Sequence, residues 1–519
     1  MKFTLGRQDF RDIRERELIY VDKTEEVCRV AELRTFVFLS RPRRFGKSLT
    51  VSTLAELYSG DRALFAGLWA YDHWDFAGRE SSVIYLEFAG SGFADSGLRT
   101  ALHRLIDDNA AALGVSGLPA ATDVGPSLRL RALVQAAAAA SPSGRAVLLV
   151  DEYDKPITHH IEGGAGGTLD EGIEETLREL RAFYGVLKGL DKYLELVFIT
   201  GVSAFARVSL FSDLNNLFNI SLQRENATLV GLTERELTTY FAADISETGV
   251  SREVVRKWYN GYRFAAGAER VYNPWSVLAF LRARELDNHW YGTGSPAWLL
   301  RMAVRLPAFS LDDLHVAAMR LTSFDVRDID VVGLLYQTGY LTIVSYDPDR
   351  RRYRLDYPNW EVREAFGRSL LDALSTELPA SAVADRGFRA QDALAAGDVA
   401  AFLAQVDALL AGIPYPLWEA RRESAYHLVA HTLLQIMGAR ATSEVATARG
   451  RADTVVETED FVYGFEFKVD RPVAEALTQI RERGYLDGYT GDGRRVMAVG
   501  VSFDSGTRRV GDWGGEEVG

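Results

Sequence analysis

A single cysteine, Cys28, stands in 519 residues. One thiol cannot form an intrachain disulfide, and it cannot furnish a cysteine-ligated zinc or iron–sulfur cluster, so the cytosol is the expected compartment. Long apolar runs are also missing. The opening MKFTLGRQDF has no apolar segment of the kind a secretory signal needs, and the most monotonous apolar tract, Ala136 to Ala140, continues a helix carrying Arg129 and Arg131. Neither a signal peptide nor a membrane span is expected. Positive charge is in deficit, with 59 Lys and Arg against 72 Asp and Glu and a net charge of −13. That balance argues against indiscriminate coating of nucleic acid or anionic membrane and leaves only a local basic site. No fixed-period repeat suggests a solenoid. What is present is globular: 47% hydrophobic and 25% charged residues. At about 150 residues per domain, the length predicts roughly three or four folding units.

The first part alternates strands and helices. Phe36 to Ser40, Val83 to Phe88, Ala146 to Val150 and Leu194 to Thr200 read as strands. Ser48 to Tyr58, Leu98 to Leu113, Leu128 to Ala140 and Ile173 to Leu190 read as helices. Strands separated by helices imply right-handed crossovers and a mainly parallel sheet, and unbroken apolar strands imply cover on both faces. An α/β P-loop domain is therefore expected over 1–230. A helical, winged-helix-like lid is expected over 231–370: Thr233 and Glu236 have capping-box spacing, Asn273-Pro274 starts a helix, and Gly339 to Leu355 reads as a hairpin after a helix. An alanine-rich helical spacer over 371–411 precedes a third domain over 412–519.

Two segments of the first domain carry phosphate chemistry. In RPRRFGKSL, Arg41 to Leu49, a strand runs into a turn and then a helix. Gly46 supplies backbone freedom, Lys47 a cation and Ser48 a hydroxyl for magnesium. Arg44, Phe45 and Leu49 complete the candidate nucleotide loop. The general motif has glycine where this chain has Arg41, and a basic surface turn capping a helix is the structural alternative. In VLLVDEYDKP, the buried strand ends in Asp151, which can hold magnesium, and Glu152, which can orient or deprotonate a water. Two exposed loop acids are the plainer reading. The strand ending at Thr200 brings a polar side chain that either senses the terminal phosphate or caps the strand.

A third segment, GRADTVVETEDFVYGFEFK, runs from Gly450 to Lys468. Alternation assigns Phe461, Tyr463, Phe465 and Phe467 to one strand face and Gly464, Glu466 and Lys468 to the other. A turn at Thr458-Glu459-Asp460 lets Asp453 approach Glu466 across a hairpin. Two such carboxylates repel unless a hard cation separates them, and magnesium prefers oxygen ligands; Lys468 then orients water or stabilises developing charge. A solvated, ion-paired hairpin face is the alternative. Glu423, on a helix before the hairpin, can add a ligand, whereas His427 reads as packing. Gln479, Tyr485, Arg471, Arg481 and Arg483 on the following helix either face a phosphate backbone or are solvated.

YVDKT at Tyr20 to Thr24, RPRRFGKSL, VDEYDKP at Val150 to Pro156, FITGVS at Phe198 to Ser203, WYNGYRF at Trp258 to Phe264 and VYNPWSV at Val271 to Val277 resemble the prokaryotic AAA-ATPase-like family. Its members often carry a carboxy-terminal PD-(D/E)xK nuclease-superfamily domain, which GRADTVVETEDFVYGFEFK and ALTQIRERGY at Ala476 to Tyr485 resemble. The resemblance implies an α/β restriction-endonuclease-like third domain. It makes Lys47 and Ser48 phosphate and magnesium ligands, Asp151 the magnesium-side acid and Glu152 the hydrolytic base. It makes Asp453 and Glu466 metal ligands, Lys468 the catalytic lysine and Glu423 an additional acid, and the family tolerates arginine at position 41. No arginine finger is assigned; Arg207, just after the Thr200 strand, is a candidate by its place alone. The function implied is an ATP-binding P-loop ATPase coupled to a magnesium-dependent nuclease acting on DNA or RNA, with defence against foreign nucleic acid as one setting. The alternative is a nucleotide-dependent switch or scaffold that binds nucleic acid or protein without cutting, and a recombinase-like or transposon-associated factor is a third reading. ATP and Mg²⁺ are the implied cofactors and DNA or RNA the implied partner, with no membrane; a homo-oligomer is left open.

Overall fold

Strands β1 (Phe36–Ser40) and β3 (Ala146–Asp151) are buried at every position, as unbroken apolar runs require. The computed structural model describes residues 3–163, 171–204, 210–211, 214, 216–291, 299–300, 302, 314–322, 329–374, 380–413, 426, 429–430, 432–434, 440–447, 450–484, 486–491 and 493–518. The chain divides into two compact units, Met1–Gly294 with His315–Asn359, and Ser295–Leu314 with Trp360–Gly519.

In the first unit β2 (Ser82–Glu87), β4 (Leu194–Gly201) and β5 (Leu217–Asn219) join β1 and β3 in a parallel sheet of order β2-β3-β4-β1-β5. The carboxyl ends of β1 and β3 therefore flank that of β4, and the loops leaving all three open on one edge, where α/β folds bind ligands. The helices Lys47–Tyr58, Leu98–Ala112 and Pro126–Ala140 follow the expected spans closely. Strand β5 was not anticipated, because three residues with Phe218 exposed present no apolar run.

Residues 231–294 and 315–359 complete this unit. The expected capping box is present: Thr233 Oγ1 accepts from Glu236 N at 3.2 Å, and Glu236 Oε2 accepts from Thr233 N at 2.8 Å. The same Glu236 pairs with buried Lys23, whose Nζ also donates to Thr228 O at 2.8 Å. Strands β6 (Leu314–Ala317), β7 (Thr342–Asp347) and β8 (Arg352–Asp356) form a small sheet of order β6-β8-β7 after and around the helix Val331–Thr338. The sequence predicted the β7–β8 hairpin and not β6. Gly261 sits at φ +131°, and a Cβ there would stand 1.7 Å from Pro358 O. Gly261→Ala combines a backbone clash with a left-handed strain, so a loss of about 3 kcal/mol or more is expected, read as a fall in melting temperature.

The second unit holds β9 (Arg440–Thr447), β10 (Gly450–Glu457), β11 (Phe461–Val469), β12 (Arg495–Asp504) and β13 (Arg509–Glu517) in the order β13-β12-β11-β10-β9. The pair β11–β12 is parallel and its neighbours are antiparallel. Phe461, Tyr463, Phe465 and Phe467 form an aromatic ladder with successive centroids 5.5, 5.9 and 5.9 Å apart. The ladder packs into one core with Leu394, Phe402, Val406 and Leu409 of the helices Ala380–Ala395 and Val399–Leu410. The stretch read as a spacer thus supplies core to this sheet. It breaks at Gly397, φ +80°, where a Cβ would meet the Phe461 ring at 2.8 Å.

Candidate nucleotide and nuclease sites

After β1 the chain turns through Arg44 at φ +68° and Gly46 at φ +99° into the helix starting at Lys47. The first amides of that helix have no carbonyl partner within it and point toward an incoming phosphate. Lys47 is buried, and its Nζ donates to Pro42 O at 2.9 Å. Burial lowers its pKa, against the pull of Asp151, Glu152 and Asp154. Ser48 and Lys47 both favour the charged form of the Asp151 carboxylate, so the two segments that the sequence singled out separately meet at one place. Asp151 is 1% exposed, and burial pushes its carboxyl upward despite Ser48 and Lys47. Glu152 takes a left-handed φ of +53°, and burial raises its carboxyl as well, opposed first by Lys47. A cation, a hydroxyl and two carboxylates therefore share one sheet edge.

Other candidates of this segment behave differently. Thr200, read as either a phosphate sensor or a strand-end cap, is fully buried, and its hydroxyl donates to Leu39 O of neighbouring β1 at 2.9 Å. Phe45 is buried, Arg44 is half-buried over the Trp275 ring at 3.6 Å, and Leu49 lies in the first helical turn. Arg41, which replaces the motif glycine, is 2% exposed and donates to Ser40 O, Ser221 O and Asn226 O at 2.9, 2.7 and 3.2 Å. Its burial lowers its pKa to about 10, which leaves it charged at neutral pH. Arg41 thus secures the loop to the chain beyond β5. Arg207 lies outside the described residues.

In the second unit Glu466 is 1% exposed on the face of β11 opposite the aromatic ladder. Lys468 Nζ reaches Glu466 Oε1 at 2.8 Å and Gln479 Oε1, from the helix Val473–Arg483, at 2.9 Å. Thr454 pairs with Phe465 across the β10–β11 hairpin, so the next step of this antiparallel register brings Asp453 level with Glu466. The side chain of Asp453, and Glu423, His427 and Tyr485 altogether, lie outside the described residues. Arg481 pairs with Glu516 at 3.0 Å and Arg471 with Glu475 at 3.6 Å, both at exposed positions.

A family model described as a predicted AAA-ATPase matches residues 4–211, and one described as the PD-(D/E)XK nuclease superfamily matches residues 421–513. A protein of Azotobacter chroococcum mcd 1, named as an uncharacterized protein in the vnfD 5′ region, is 37% identical over 521 residues and covers 98% of each chain. The chain belongs to the AAA-ATPase-like family and carries a PD-(D/E)XK nuclease-superfamily domain. No solved structure matches it. The AAA-ATPase match contains β1 to β4 with the Lys47–Asp151 edge, and the nuclease-superfamily match contains Glu466, Lys468 and Gln479.

Among the described residues, no group of three or more His, Cys, Asp or Glu side chains could cage a metal ion. No described helix is long and apolar enough to cross a membrane. Two oxygen donors, Ser48 and Asp151, suit a magnesium ion that keeps its remaining positions for water and phosphate. Sequence reasoning overlooked Asp154, which is 2% exposed. Its Oδ2 accepts from Ser203 N at 2.8 Å and Ser203 Oγ at 2.6 Å, tying the acidic loop to the end of β4. The signal was the second aspartate of DEYD, three residues after Asp151.

Proposed function

We propose that the chain is a magnesium-dependent ATPase whose nucleotide state controls a metal-dependent nuclease acting on DNA or RNA in the cytosol. The meeting of buried Lys47, at the helix start, with buried Asp151, at the strand end, supports the reading most directly, since each favours the charged form of the other where a phosphate and its cation would lie. Lys47 Nζ would exchange its bond to Pro42 O for the outer phosphates of ATP, and the loop amides would hold the inner ones. Ser48 and Asp151 are the residues to hold magnesium, which when bound neutralises phosphate charge. Glu152 accepts the proton of the attacking water.

In the nuclease-like domain Glu466 and Asp453 are the metal-holding acids, with Glu423 a further one. Lys468 stabilises charge developing on the scissile phosphate or orients the water, and Gln479 steers its ammonium. A nuclease held silent until a nucleotide signal arrives suits defence against foreign nucleic acid. Lys47→Ala tests the nucleotide half. ATP affinity should fall about ten-fold or more with the fold intact, since one charged hydrogen-bond donor is lost. Calorimetric titration giving wild-type affinity for the folded variant would remove Lys47 from the site.

A further inference from the structure

Five consecutive residues of the phosphate loop are each held by residues outside the parallel sheet. The Arg41 guanidinium lies 4.3 Å from the Phe264 ring centroid, besides its bonds to Ser221 O and Asn226 O. Pro42 abuts Gly339, where a Cβ would stand 2.8 Å from the proline Cβ. Arg43 O accepts from Trp290 Nε1 at 3.2 Å. Arg44 is stacked 3.6 Å from the Trp275 ring. Phe45 is edge-on to Tyr262 and Phe264 at 4.7 and 5.3 Å, and its carbonyl accepts from Gly231 N at 3.1 Å. Trp275 is itself fixed, with Nε1 donating to His289 O at 3.1 Å and its amide bonded by Asn273 Oδ1 at 2.9 Å. By base rate such aromatics are ordinary core. Here they converge on one short turn containing a left-handed arginine, a conformation that surrounding contacts have to impose.

We propose that Trp275, Tyr262 and Phe264 are positioning residues of the phosphate loop, which hold the Arg44–Gly46 turn in the shape that receives a nucleoside triphosphate and couple nucleotide occupancy to the helical part of the same unit, residues 231–291 and 329–359. The inference rests on the ATP reading above. When Lys47 leaves Pro42 O for a phosphate, the residue released is the one packed on Gly339. Occupancy of the loop is thereby felt in the helical region, and by reciprocity the helical region sets the affinity of the loop.

The experiment compares full-length Trp275→Ala, Trp275→Phe and Trp275→Leu. ATP affinity with magnesium is measured by calorimetry, and amide hydrogen exchange over residues 43–47 is measured without nucleotide. Loss of a cation–π stack should raise the ATP Kd of Trp275→Ala by about 3- to 30-fold and speed exchange in the loop. Trp275→Phe keeps an aromatic face and should recover most of both. Trp275→Leu keeps apolar bulk without that face and should resemble alanine, which separates positioning from packing if the alanine variant fails to fold. Wild-type affinity and wild-type loop exchange in Trp275→Leu would overturn the proposal, as would a phenylalanine variant no better than leucine. A wild-type protein that binds no ATP, yet whose loop exchange depends on Trp275, would defeat the ATP reading and leave the positioning role standing.

Discussion

Replacing Lys468 by alanine is expected to lower metal-dependent cleavage of nucleic acid by about 100-fold or more while ATP affinity stays at the wild-type value. Lys468 Nζ is 2.8 Å from Glu466 Oε1 and 2.9 Å from Gln479 Oε1, which fixes its charge beside the buried carboxylate. A single preorganised donor aimed at developing charge is worth about 10²–10³ in rate. The substitution has a second effect, because Glu466, at 1% exposure, loses its cation. Breaking a buried pair costs about 3–5 kcal/mol, and protonation of Glu466 would relieve part of it. Melting temperature should therefore fall along with activity. The double variant Lys468→Ala/Glu466→Gln removes the buried carboxylate charge, so stability should recover; only stability is read in it, because Glu466 is itself a metal-holding acid. Cleavage persisting at the wild-type rate in the single variant would remove the lysine from the catalytic role.

Glu152→Gln should retain ATP binding and lose hydrolysis by about 10²–10⁴-fold, the usual contribution of a general base. The amide keeps the shape of the side chain at its left-handed position and cannot take the proton. Burial, reinforced by the charges of Asp151 and Asp154, raises the carboxyl above the ordinary glutamate range, although Lys47 opposes the shift. A base works only when deprotonated. Turnover should therefore rise with pH through that raised value, with a midpoint above that of an exposed glutamate, and the residual turnover of the glutamine variant should lack the step. Steady-state hydrolysis across pH, with ATP binding measured in parallel, checks both statements. A glutamine variant turning over at the wild-type rate would assign the base elsewhere.

What could be read from the chain before folding was whatever one stretch of residues determines. The apolar strand Phe36–Ser40, the glycine-lysine-serine turn after it and the alternating face of Phe461 to Phe467 each carry their environment in their own pattern. The capping box at Thr233 did so as well, since both partners lie within one helical turn. Features set by distant partners were not legible. The Thr200 hydroxyl donates a hydrogen bond to Leu39 O, 161 residues away, and Arg41 donates to the carbonyls of Ser221 and Asn226, 180 and 185 residues away. Nothing near either position in sequence announces those partners. Strand β9 belongs to the same class: RATSEVAT has no clean alternation and becomes a strand by pairing with β10. The aromatic motifs WYNGYRF and VYNPWSV read as ordinary core because only the fold brings Tyr262 and Trp275 to the phosphate loop.

The most direct test of a nucleotide-controlled nuclease is the initial rate of DNA and RNA cleavage by the full-length protein in magnesium, with and without ATP, beside Lys47→Ala. The account predicts cleavage of at least one nucleic acid, a rate that changes with ATP in the wild type by about 5- to 150-fold, and no response to ATP in Lys47→Ala. A wild type that cuts at the same rate with and without ATP would contain two independent enzymes, and a wild type that binds ATP and never cuts would be a switch or scaffold; either result would contradict the account.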